Sequence, residues 1–309
     1  MQALIDVILP VFLVVGAGYA VVWRKFLTDD GVEALMKFAQ NFAIPVMLFL
    51  AMSRLDLVNV FEWRLLVSFY TGAMCGFLAG LLGARFLFGR DWEDAVAVGF
   101  VCLFSNSVLL GLAISERAYG TASLSANFAI VAMHGPFCYA VGIMAMEGVR
   151  ARGSGLLVTL GRVGKGLATN PLVIGIGLGV LVNLTGLSLP GAVIDAAELL
   201  AAAGLPVALF GLGGILYRYK PEGDMKLIAY AVVVSLLLHP TVTWGMGRML
   251  AVEPGQFRAA IVTSAMAPGV NAYLFANMYG RAKRVAASTV LMATLLCVLT
   301  AWGWMTALG

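Results

Sequence analysis

The sequence predicts an all-α polytopic membrane protein with ten transmembrane helices. Three observations predict it. The 309-residue chain is 61% hydrophobic and 12% charged, where an average soluble domain carries roughly 25% charged residues. Apolar stretches of membrane-crossing length, roughly 17–25 residues, fall at 3–23, 32–52, 64–88, 95–115, 123–146, 169–187, 193–216, 226–250, 257–279 and 285–307. The connections between them are short. Assigning these connections alternately to two sides puts 15 of the 20 Lys and Arg on one side, against Arg54, Arg64, Arg117, Arg248 and Arg258 on the other. Basic residues concentrate in cytoplasmic loops. The richer side is therefore cytoplasmic, and both termini face away from it.

The same numbers exclude other classes. A net charge of +4 spread over loops is no nucleic-acid patch. Cys75, Cys102, Cys138 and Cys297 lie in apolar stretches without CxxC spacing and read as packing residues. No metal-ligand cluster or cofactor motif stands out. The "GIGLGV" run at 175–180 has a dinucleotide loop's glycine content but sits inside a span, where small residues serve close helix packing. His134 and Ser264 lack the surrounding pattern of a nucleophile and its base, so no enzyme is expected. No cleavable signal pattern opens the chain.

Each span has a reason. Span 1 holds Pro10, Gly16 and Gly18, and span 2 holds "AIPVMLFL". Span 4 carries Ser105-Asn106-Ser107 at mid-depth, and span 5 carries His134. A Gly- and Arg-rich linker, 149–164, follows. Span 6 opens on Pro171, span 7 contains "GLPVALFG", and span 8 carries His239. Span 9 contains "MAPGVNAYLFANMYG", a helix-hostile row of Pro268, Gly269 and Asn271. Span 10 is apolar. Tyr19, Trp23, Trp63, Trp92, Trp302 and Trp304 fall at span ends and read as interfacial anchors. Asp6, Asp195 and Glu198 lie near span ends too.

The chain repeats itself. Pro45 recurs as Pro206, and Pro10 as Pro171, both 161 residues on; Tyr119-Gly120 recurs as Tyr279-Gly280 after 160. Two five-span repeats follow, 1–148 and 165–309, joined by the cytoplasmic linker 149–164. Because five is odd, the second repeat enters the membrane inverted, as in many secondary transporters. The two fourth spans then place polar or helix-breaking residues at matching depth. Unwound backbone is tolerated there only when buried or lining a wet cavity. Helix N-termini at such a break suit an anion. The candidate substrate-binding residues are Ser105, Asn106, Ser107, Pro268, Gly269 and Asn271. Pro45 and Pro206 mark either crossing points or kinks. His239 and His134, the only histidines, are candidates for proton coupling.

The stretches "FAIPVMLF", "SNSVLLGL", "RAYG", "NPLVIGIGLGVLVNLTGLSLP", "LPVALFGLGG", "LLLHP" and "APGVNAYLFANMYG" together resemble the auxin efflux carrier family, relatives of plant PIN-type carriers and malonate-type permeases. The resemblance spans nearly the whole chain. It implies a bacterial inner-membrane protein with a fold like that of the bile-acid sodium symporters. In that fold spans 1, 2, 6 and 7 form a scaffold, and spans 3–5 and 8–10 a transport domain. It implies a small organic carboxylate as substrate, Asn106 as a carboxylate contact, Pro268 as the crossing proline of span 9, and a homodimer through the scaffold. Ser105 and Ala113 stand where the family often has proline. Two other readings remain: a sodium-coupled symporter, with Ser105, Ser107, Ser264 and Asn127 as oxygen donors, and a sensor or scaffold without transport.

Overall fold

The computed structural model describes residues 4–57, 61–150 and 168–308, with Gly161 and Gly164 between the last two. Most of the expected linker, Arg152 and Arg162 included, lies outside the described residues. Among the described residues all regular secondary structure is helical. The first half comprises α1 (Leu4–Trp23), α2 (Asp29–Arg54), α3 (Trp63–Phe86), α4 (Trp92–Leu103), α5 (Ser107–Leu112 continuing as Ala113–Tyr119) and α6 (Leu124–Arg150). The second comprises α7 (Pro171–Thr185), α8 (Gly191–Arg218), α9 (Met225–Met249), α10 (Pro254–Ser264), α11 (Val270–Tyr279) and α12 (Lys283–Leu308).

Seven of these helices, α1, α2, α3, α6, α8, α9 and α12, are long and apolar enough to cross a bilayer. Expected spans 4 and 9 are each broken into two shorter helices. Expected span 6 falls on α7, which is 15 residues long.

Three of the long helices carry a π-wound turn, at Leu4–Ile8, Ala39–Ala43 and Val234–Leu238. Each ends two residues before a proline: Pro10, Pro45 and Pro240. A proline within a helix removes one backbone donor and crowds the carbonyl four residues back. Widening the preceding turn relieves that crowding and keeps the helix continuous. The carbonyl four residues before Pro240 belongs to Leu236, and it accepts a hydrogen bond from Trp304 Nε1 at 3.1 Å. Trp304, read from the sequence as an interfacial anchor, thus has a bond inside the protein. It replaces the donor that Pro240 lacks. Pro206 works differently: it follows a turn at Ala203 between the helical stretches Gly191–Ala202 and Gly204–Arg218.

The chain separates into two compact units. One comprises Pro10–Phe61 with Gly164–Arg218. Its helices pack backbone to backbone through glycine. Gly175 and Gly179 of α7 lie against the carbonyls of Pro45 and Phe49 on α2, while Gly177 faces open space. Gly18 and Gly213 make the same close approach between α1 and α8. The end of α2 is closed by Asn183, whose Nδ2 donates to the carbonyls of Met52, Ser53 and Leu55 at 2.8–3.2 Å.

The other unit comprises residues 1–9, 62–163 and 219–309. Here α3 presents Gly72, Gly76 and Gly80. Gly72 meets His239 and Thr243 of α9, and Gly76 and Gly80 meet Cys102 of α4. One end of the unit is tied by ion pairs. Glu93 lies between Arg281 at 2.9 Å and Arg150 at 3.0 Å. Asp91 pairs with Arg281 at 3.2 Å, and Asp94 accepts from Ala282 N at 3.1 Å. Arg281 first, then Arg150, hold the Glu93 carboxyl below its ordinary pKa. These contacts join the start of α4 to the end of α11 and the end of α6.

Candidate functional site: the crossing of two broken helices

α4 ends at Leu103 and α5 starts at Ser107; α10 ends at Ser264 and α11 starts at Val270. The two unwound pieces run antiparallel and pair with each other. Asn106 N donates to Ala267 O at 2.8 Å, and Gly269 N donates to Phe104 O at 3.0 Å. Ser105 and Pro268 face each other between these bonds. In an antiparallel ladder such a facing pair exchanges no backbone hydrogen bonds. The missing N–H of Pro268 therefore costs nothing. Two segments that have each left the helix satisfy one another where Phe104, Ser105, Asn106 and Ala267 are buried.

Further groups hold the pair. The Ser105 carbonyl accepts from Ser107 N at 2.8 Å and contacts His134 Nε2 at 3.1 Å. A carbonyl only accepts, so His134 carries its proton on Nε2. Its Nδ1 then accepts the Cys138 thiol, 3.7 Å away. The ring packs against Phe104 and Phe69, with centroids at 4.7 and 5.6 Å. Cys297, from α12, donates to Ala265 O at 3.5 Å. Behind the crossing, Asn127 of α6 donates to Ser115 of α5 at 3.0 Å and to Thr263 of α10 at 2.9 Å.

The two half-helices that begin here differ. Asn106 caps α5: its Oδ1 accepts from Leu109 N at 3.2 Å. Its Nδ2 donates to no protein group among the described residues. α11 has Gly269 at its cap and no side-chain cap bond. Asn271, in its first turn, accepts from Tyr139 Oη at 3.4 Å. Ser107 is buried in the first turn of α5, and Ser105 Oγ is buried without a partner. The crossing carries no carboxylate and no cationic side chain. Its field is set by two helix N-termini, each worth roughly half a positive charge.

The structure brings Ser105, Asn106, Ser107, Pro268, Gly269 and Asn271 to one place, with His134 on its backbone. His239 also packs on Phe69, with centroids at 5.3 Å. Its Nε2 is buried and unpartnered. Pro45 and Pro206 lie in the other unit. Sequence reasoning assigned no role to Tyr139 or Thr263, and it read Cys138 and Cys297 as packing. The i, i+4 spacing of His134 and Cys138 carries a signal for one of these pairs. The rest pair residues distant in sequence.

Residues 3–305 match the sequence model of a membrane transport protein family. The chain is 24% identical over 304 residues to the uncharacterized transporter YfdV of Escherichia coli K12, covering 96% of this chain and 95% of the relative. It is 23% identical over 309 residues to a Rhizobium meliloti protein named "Putative malonate transporter", covering 98% and 95%. An uncharacterized transporter of Methanothermobacter thermautotrophicus is 23% identical over 309 residues, covering 97% and 96%. A multi-pass chain whose sequence matches that family from end to end is a membrane transport protein of the auxin efflux carrier family.

Proposed function

We propose that this protein is a secondary carrier of a small organic carboxylate, working by alternating access in a bacterial inner membrane with both termini outside. The observation that carries the reading is the paired crossing. Two half-helix N-termini begin at one buried point, without any acidic side chain, beside the free Nδ2 of Asn106. Such a point attracts an anion through oriented backbone amides and gives a carboxylate a directional donor.

Three further observations support it. The six helices α1–α6 recur in order as α7–α12, with both breaks in matching places at an offset near 161 residues. That is what ten spans in two inverted repeats require. The unit of α1, α2, α7 and α8 takes the first two helices of each repeat and suits a scaffold; the unit with the crossing suits a moving transport domain. One relative bears a malonate transporter's name.

Proton coupling, where present, falls to His239 rather than His134. Both nitrogens of His134 already have neutral partners, whereas His239 Nε2 has none. One observation favours sodium coupling instead: Asn127 Oδ1 is buried without a partner, and such an oxygen suits a hard cation. Uptake of labelled malonate and of indole-3-acetate into proteoliposomes tests the reading. The pH gradient is imposed or collapsed, and sodium is replaced by choline. Saturable flux supports a carrier. Its loss without the pH gradient assigns protons, and its loss in choline assigns sodium. Folded protein that moves neither solute contradicts the carboxylate reading.

A further inference from the structure

Five arginines lie on the side taken above as outer. Three have acceptors: Arg54 pairs with Glu198 at 2.7 Å, Arg64 with Glu62 at 3.7 Å, and Arg117 donates to Asp6 O at 2.7 Å. The guanidinium groups of the other two, Arg248 and Arg258, make no ion pair or hydrogen bond to the described residues. Both line the same cavity. It measures about 340 Å³ and is walled by Trp244, Phe257 and the last residues of α12, a size within the usual range for small ligands.

The cavity is built rather than incidental. Phe257 lies over α9 at Gly247, where a Cβ would meet the ring at 2.6 Å. Arg248 then rests on two rings, 5.1 Å from Trp244 and 5.8 Å from Phe257. Arg258 rests on Tyr119 at 5.6 Å. A guanidinium held by ring faces alone has spent no N–H on the protein, so its donors remain for a carboxylate or phosphate. Glu253, the acid nearest in sequence, is engaged in capping α10 through Gln256 N at 3.0 Å. α10 starts at this cavity and ends at the crossing; it is 11 residues long, or about 16 Å at 1.5 Å per residue.

We propose that this cavity is a second anion site, distinct from the crossing, for a carboxylate or phosphate carried on a flat or apolar body. The arginines supply the charge, and Trp244 and Phe257 supply the surface for the body. Only its assignment to the outer side rests on the orientation proposed above; the site does not depend on transport.

Trp244 makes the test direct. 4-Nitrobenzoate is a flat aryl carboxylate that quenches a tryptophan it touches. Titrated into purified protein in detergent, it should give saturable quenching. The quenching should vanish in Trp244→Phe and persist in Asn106→Ser, which alters the crossing. In Arg248→Gln/Arg258→Gln the midpoint should rise at least about tenfold, the value of one charge-assisted hydrogen bond. Arg248→Lys/Arg258→Lys keeps both charges without the fork. It should fall between, and it serves as the test if the glutamine pair does not fold. Repeating the titration in nanodiscs identifies the source. Displacement by phosphatidylglycerol but not by phosphatidylcholine names a lipid headgroup, and equal quenching in both names a soluble carboxylate. Absence of saturable quenching, or a midpoint unchanged in both arginine pairs, overturns the proposal.

Discussion

The two breaks that meet at the crossing reach the same backbone arrangement by different chemistry. The α10–α11 break is written into its residues: Pro268 removes a donor and Gly269 has poor helix propensity. The α4–α5 break, Phe104–Asn106, contains neither residue. It is held open from outside, by two backbone bonds to its partner and by His134 on the Ser105 carbonyl. The ends differ as well. Asn106 caps α5 with its own side chain, while α11 begins without a side-chain cap. A helix-breaking sequence on one strand is therefore enough to open both, provided the second strand can pair with it. Asn106 is consequently divided: its oxygen caps α5, and its nitrogen, which donates to no described residue, is the donor we propose for the ligand.

Substitutions can pull those duties apart. The largest effect is expected at Asn106. Asn106→Ala loses both cap and donor, so anion binding should weaken at least about tenfold, and stability should fall by about 1 kcal/mol, the usual value of a cap. Asn106→Ser keeps a capping oxygen. Binding should fall as far, while the melting temperature stays near wild type. Equal stability loss in both variants would make the residue structural alone.

His134 tests whether the proline-free break needs its outside support. His134→Leu removes a buried donor from the Ser105 carbonyl, which costs about 1–3 kcal/mol when nothing replaces it. Thermal unfolding in detergent should show that loss, together with several-fold weaker binding. His134→Gln, whose amide can donate, should recover part of both. A melting temperature unmoved by His134→Leu would show that the pairing with Ala267 and Phe104 suffices by itself.

The α11 side should be more tolerant. Asn271 is half-buried, and its oxygen takes only a long bond from Tyr139, so Asn271→Ala should cost less binding than Asn106→Ala. Gly269→Ala should be milder still, within about twofold in binding. A Cβ there would find Phe104 at 3.5 Å and the Asn106 Cα at 3.6 Å, ordinary contact, at a φ of −74° that any residue adopts. A large effect would mean that a ligand, not the protein, needs that space.

The smallest effect concerns the ion pairs at the end of the same unit. Arg281 and Arg150 hold the Glu93 carboxyl below the ordinary carboxylate range. A lowered carboxyl stabilises the fold above its unfolded pKa, and that contribution disappears as pH falls through the lowered value. The melting temperature should therefore drop on acidification below about 4.5, and less steeply in Glu93→Gln. Identical acid profiles would show these pairs to be energetically idle, as exposed ion pairs often are.

Much of this was legible in the sequence. Apolar runs located the membrane helices because burial in lipid demands composition, not particular contacts. The break at Pro268 and Gly269 was legible from propensity. The break at Ser105 and Asn106 was legible only through the repeat, since its own residues do not forbid a helix. What stayed hidden depends on partners far along the chain. The π turns before Pro10, Pro45 and Pro240, the Trp304 bond to Leu236 and the His134 bond to Ser105 are answers to backbone groups left unpaired. A linear pattern shows the problem but not the residue that solves it. Pro45 and Pro206 illustrate the same limit: two equivalent prolines are accommodated differently, one by a π turn and the other by a turn at Ala203.

The central claim is that an anion sits at the crossing and is held by Asn106 Nδ2. Equilibrium binding of labelled malonate to purified wild-type protein and to Asn106→Ser, with thermal stability measured on the same samples, tests it most directly. The account predicts at least about a tenfold rise in Kd with the melting temperature nearly unchanged. Wild-type protein that binds malonate with the same Kd as the serine variant would contradict it.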